Sequence, residues 1–123
     1  MKVNPTSKIT FTYSSPLKTA WKKGLLPTVT KGLSGTPLKK DTLSVDHIIP
    51  HSKGGKTTLS NLVLEDAAWN NKRGNTPIWD WITDEMLEDY CKQFQDVYNE
   101  FINGNNYVKL IKETFAKLKK ERK

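Results

Sequence analysis

Cysteine is nearly missing. Cys91 stands alone among 123 residues, which excludes an internal disulfide framework and a cysteine-rich zinc ribbon. Long apolar runs are missing as well. No stretch approaches the ~20 residues that a bilayer-spanning helix needs, and Met1–Thr10 lacks the apolar core of a secretory signal. Glycine and proline number only 7 and 6, so collagen-like and low-complexity organisation is out. What remains is an ordinary globular balance, 36% apolar and 27% charged, in a chain long enough for one core. A single cytoplasmic domain over residues 1–123 is the expectation.

Acidic residues are scarce in the first part of the chain. Residues 1–73 hold 12 basic side chains and 4 acidic ones. Residues 80–104 reverse this with seven acids and only Lys92, and 105–123 return to seven bases and two acids. A basic body suits a polyanion partner, because Lys and Arg that neutralise phosphates gain from counterion release. It equally suits a solvated basic surface, and charge alone does not choose. Nucleic acid would repel the acidic face 80–100, which should point away from it or meet a protein partner.

Local patterns outline the elements. Ile9, Phe11 and Tyr13 alternate with polar neighbours as on a half-buried strand over Lys8–Tyr13. Ser15-Pro16 reads as a helix start and Gly24 as its stop. Leu25–Lys40, with Pro27, Gly32, Gly35 and Pro37, reads as loop or irregular hairpin. Strands are expected over Leu43–Ile49 and Leu59–Leu64. A short helix should follow from Glu65 to Arg73, acidic at its start and basic at its end. Thr83 can cap a helix carrying Leu87, Tyr90, Phe94, Val97 and Phe101. A second helix, after Asn103-Gly104-Asn105, carries Tyr107, Leu110, Ile111, Phe115 and Leu118. Together they predict an antiparallel helical hairpin over 83–121. Trp21, Trp69, Trp79 and Trp81 are expected in the core, as is Cys91.

The chemistry concentrates in Asp46–Asn75, DHIIPHSKGGKTTLSNLVLEDAAWNNKRGN. Strand, loop, strand and helix in that order bring the first strand against the helix. Asp46 and Asn70 can then converge across 24 positions. A carboxylate and an amide carbonyl are hard oxygen donors, suited to Mg²⁺ or Mn²⁺. An adjacent histidine, His47, titrating near neutrality could deprotonate a water. Lys53, Lys56, Lys72 and Arg73 could hold flanking phosphates. Alternation along a strand sends Asp46 and His47 to opposite faces, so they serve one phosphate only at the strand's edge.

This stretch resembles the HNH nuclease motif, also called the ββα-metal or His-Me finger. The resemblance runs over about 30 residues: DHIIPxSxGG, then Asn61, then Asn70 nine positions later, then KRGN. It implies an α+β fold with a ββα-metal centre, core motif 43–75, flanked by the N-terminal strand–helix and the C-terminal hairpin. The implied activity is endonucleolytic cutting of DNA with one divalent metal ion, leaving a 5′-phosphate and a 3′-hydroxyl. By position Asp46 and Asn70 match the metal ligands, His47 the general base, and Asn61 the asparagine that braces the loop and helps orient that base. Many relatives carry two CxxC pairs for a structural zinc, and this chain has none, so no structural zinc is expected. Where some relatives place a further histidine the chain has Gly74, which favours the oxygen-ligand, Mg²⁺-type version. Free-standing proteins of this kind are often phage or mobile-element products, and monomer and homodimer are both open. The rival expectation is an HNH-fold accessory or inhibitory protein that binds DNA or a protein machine without cutting.

Overall fold

The computed structural model describes residues 15–74 and 76–121. The strand expected over Lys8–Tyr13 lies outside them. Ser15 is extended and its Oγ accepts from the Leu17 N–H at 3.0 Å, while Pro16 presets the first helical φ. Helix α1 (Pro16–Lys22) therefore starts where Ser-Pro predicts, and it buries Leu17 and Ala20. The segment after it is irregular, as expected, with a bridge between Lys31 and Pro37.

Two strands, β1 (Leu43–His47) and β2 (Leu62–Asp66), pair antiparallel with His47 opposite Leu62 and Val45 opposite Leu64. Both differ from expectation. β1 stops two residues before Ile49, where the chain enters Pro50 and a 3₁₀ turn over His51–Lys53. Leu59–Asn61 is a second 3₁₀ turn, because the Asn61 side chain is taken up by loop backbone. β2 accordingly runs on through Glu65 and Asp66. The following helix is α2 (Ala67–Arg73), and Asp66 is its cap, accepting from the Ala68 N–H at 3.1 Å. Such a cap contributes about 1 kcal/mol.

Glu65, expected as the first residue of a short helix, lies in β2 instead and is 0% exposed. Its carboxylate accepts from the Ser34 N–H and Oγ–H, each at 2.8 Å, and from the Asp66 N–H at 2.9 Å. Burial still pushes this carboxyl above its ordinary range. A Cβ on Gly32 would lie 2.6 Å from Glu65 Oε2, so glycine is what lets the 32–36 turn close over the carboxylate.

Helix α3 (Asp84–Lys92) begins at Thr83, whose Oγ1 accepts from the Met86 N–H at 3.1 Å. It ends at Lys92 rather than continuing to Phe101. Beyond it the chain tightens into i→i−3 bonds, Phe94 N to Cys91 O at 3.0 Å and Val97 N to Phe94 O at 3.1 Å, and Asp96 takes φ +62°. Gln93 is held elsewhere. Its amide oxygen accepts from the Thr30 and Lys31 N–H groups at 2.9 Å, and its nitrogen donates to Lys31 O at 2.9 Å. Phe94 remains 0% exposed, so the apolar spacing outlives the helix. Helix α4 (Gly104–Glu121) runs antiparallel to α3, with Lys112 paired to Glu88 at 3.0 Å and Lys119 to Asp84.

One buried cluster joins Leu17 and Ala20 to Leu43, Leu62 and Leu64 of the sheet and to Tyr90, Phe94, Tyr107, Ile111 and Phe115 of the helical pair. Hydrogen bonds along the outer edge of β2 add to it. The Leu64 N–H donates to Tyr90 Oη at 2.9 Å, Tyr90 O–H to Tyr107 Oη at 2.9 Å, and Tyr107 O–H to Leu62 O at 2.7 Å. The Leu33 N–H donates to Leu64 O at 3.1 Å. Cys91 is 3% exposed and burial pushes its thiol up to about 11, the behaviour of a small hydrophobe. Trp21 and the edge-to-face pair Trp69–Trp81 are only half-buried, whereas the core was expected to enclose them. The Trp79 side chain lies outside the described residues. Among the described residues, no helix is long and apolar enough to cross a membrane.

Candidate active site

The two-residue period of β1 turns Ser44 and Asp46 toward α2, where Asn70 and Arg73 sit three positions apart and so share a face. Arg73 Nη2 donates to both Asp46 carboxylate oxygens at 2.9 Å, and its Nη1 donates to Thr76 O at 2.8 Å. The two side chains are 7% and 12% exposed. The end of the Asn70 amide facing Asp46 lies 2.5 Å from Oδ2 and 3.3 Å from Oδ1, and the other end lies 2.9 Å from Ser44 Oγ. An amide oxygen so close to a carboxylate oxygen is repelled unless a cation lies between them. With nitrogen turned to Asp46 and oxygen to Ser44, both ends of the amide are satisfied, the Ser44 hydroxyl then donating to Asn70 rather than to Glu65 O. The strand–helix register thus brings Asp46 and Asn70 together. Burial pushes the Asp46 carboxyl up, and the charge and hydrogen bond of Arg73 pull against that rise.

His47 faces the other way. Its Nε2 shares a hydrogen bond of 3.0 Å with Thr57 Oγ1. Burial lowers its pKa, His51 lowers it further, and Asp46 opposes both. The net shift is downward from 6.5, which keeps the ring neutral at pH 7. When Nε2–H donates to Thr57, the Nδ1 lone pair is the one left to accept a proton. Thr57 went unread in the sequence. The signal was there as a hydroxyl at the end of the glycine loop, ten positions past His47. His51 is exposed in its 3₁₀ turn.

Asn61, 4% exposed, holds the loop between the strands. Its Oδ1 accepts from the Ile49 N–H at 2.7 Å, and its Nδ2 donates to Ile49 O at 3.0 Å and to Lys56 O at 2.9 Å. A Cβ on Gly55 would lie 1.8 Å from Ile49 O, so the second loop glycine is required by the same closure. Asn61→Ala would strand three backbone groups, at a cost of about 3 kcal/mol and a fall of roughly 10 °C in Tm. Calorimetry reads this directly. A variant melting within about 2 °C of the parent would show that the loop is held by something else.

Of the cations expected to meet phosphate, Lys53 and Lys56 are exposed on the loop and Lys72 is exposed on α2. Arg73 is turned inward onto Asp46 and is not part of that exposed set. Among the described residues, no three His, Cys, Asp or Glu side chains cluster as a metal site. The donor pair here is instead one carboxylate and one amide, and once the amide turns its oxygen from Ser44 toward Asp46 the two fit a hard cation that keeps most of its water. Any such cation has to share both Asp46 oxygens with the guanidinium or displace it.

Residues 34–75 match the family model described as HNH endonuclease. Neither the curated proteins nor the solved structures contain a match to the chain. The matched segment opens in the turn that Glu65 clamps and runs through β1, the Asn61-braced loop, β2 and α2, the elements that carry Asp46, His47, Asn61 and Asn70. That segment, about a third of the chain, is what it shares with the HNH endonuclease family.

Proposed function

We propose that the protein is a divalent-metal-dependent DNA endonuclease acting as a single unit. The observation that carries this reading is the convergence of Asp46 and Asn70 on one side of β1, with His47 the next residue along, at the end of the strand and on its other face. Asp46 and Asn70 would hold one Mg²⁺ or Mn²⁺ ion. Bound there, the ion supplies Lewis-acid stabilisation of the phosphate and the departing oxygen. His47 takes the proton of the attacking water at Nδ1, and Thr57 fixes the ring from its other nitrogen. Asn61 keeps the loop that carries Thr57 in place. Lys53, Lys56 and Lys72 hold neighbouring phosphates as point charges. The acidic residues of α3 face solvent and would turn from DNA, leaving them to a protein partner.

The test is purified protein on supercoiled plasmid with Mg²⁺, with Mn²⁺, and with EDTA. Relaxed circles are expected with either metal and none with EDTA. A folded protein that leaves the plasmid intact with both metals overturns the reading in favour of a binding role on DNA or a protein machine.

A further inference from the structure

The sheet has a second face, which the metal-side residues do not use. It carries Val45 and His47, and α1 packs on the sheet. A groove of about 440 Å³ lies there, lined by the cap Ser15 and Lys18 of α1, Ser44, Val45 and His47 of β1, Leu62 of β2 and Thr57 of the loop. Its volume is in the range of ligand-sized clefts. Its lining combines the imidazole and its Thr57 partner with a lysine on a helix outside the family segment 34–75.

From this arrangement we infer that the groove seats the backbone of the nucleic-acid strand being cut, and that Lys18 contacts a phosphate beside the one His47 serves. The inference rests on the nuclease reading. Charge supports it independently of the groove. From Ser15 to Lys40 the chain carries Lys18, Lys22, Lys23, Lys31, Lys39 and Lys40 and no carboxylate at all. Lys18 is the one of these that lines the groove, and this stretch brings no carboxylate to oppose a polyanion there. Hydroxyls and one lysine offer phosphate donors without base-edge recognition, so the contact positions the strand and carries no sequence preference. A flexible ammonium suits that task, because a point charge does not demand one phosphate orientation.

The experiment measures binding of a short DNA duplex by fluorescence anisotropy across a salt series in EDTA, with His47→Ala as the parent so that nothing is cut. Lys18→Met keeps the aliphatic stem and removes the charge. Its slope of log affinity against log salt should fall by about 0.9, and binding at 0.15 M salt should weaken by about 5-fold. Lys18→Arg should restore both. Lys92→Met, which removes a cation from the acidic α3, should leave the slope alone. Lys18→Gln gives a second charge-free variant should the methionine protein melt early. Unchanged slopes in both charge-free variants overturn the assignment of Lys18, and so does an equal loss in Lys92→Met, since that reports only net charge. A parent that binds no duplex at any salt overturns the nuclease reading with it, whereas a parent that binds while Lys18 is silent overturns the groove alone.

Discussion

Replacing His47 by alanine is expected to cut metal-dependent nicking by about 10²- to 10⁴-fold, the usual loss when a positioned general base is removed. The geometry makes this a clean test. The ring is half-buried and its one side-chain hydrogen bond is to Thr57, so the fold gives up little with it. Asp46, Asn70 and the exposed lysines are untouched, and DNA affinity should stay near that of the parent. Single-turnover rates on plasmid together with anisotropy on a duplex separate the two effects. If the variant keeps more than about a tenth of the parent's rate, the proton acceptor is another group.

Arg73→Ala is expected to produce the largest loss of stability. It leaves the Asp46 carboxylate, 12% exposed, without the guanidinium that donates to both of its oxygens. Breaking a buried pair on one side costs about 3–5 kcal/mol, or ~10–15 °C in Tm for a chain of this size. The pair as a whole contributes far less, because both charges were desolvated to form it. Asp46→Asn combined with Arg73→Met should therefore melt within about 1 kcal/mol of the parent. Should the single and double variants melt alike, the lost stability comes from packing of the arginine stem rather than from a stranded charge.

The particular residues show which parts of the molecule could be read in advance. The meeting of Asp46 with Asn70 was legible because strand, loop, strand and helix in that order set the first strand against the helix, and the starts of α1 and α3 were legible because Ser15-Pro16 and Thr83 are local signals with local consequences. Arg73 was misleading for a physical reason. A base in the last turn of a helix suits the dipole whether it points to solvent or inward, and only the tertiary position of Asp46 decides. Glu65 was misplaced for a similar reason, since its partner Ser34 lies 31 positions away and nothing nearby marks the carboxylate as buried. The end of α3 escaped because turns with i→i−3 bonds keep Phe94 on the buried side. Lys18 and Thr57 became visible only once α1 and the loop were set against the sheet.

The hydroxyls of Tyr90 and Tyr107 on β2 have a consequence for cutting the molecule down to its matched segment. They and the Leu33 amide occupy backbone groups of Leu62 and Leu64 that a third strand would otherwise take. All three residues lie outside the 34–75 segment. That segment on its own would carry Asp46, His47, Asn61 and Asn70, and yet present an unguarded strand edge, ready to template pairing between chains. The motif is thus not a cassette that can be lifted out and grafted. It depends on the helices around it, and a graft of the segment has to bring its own means of covering β2.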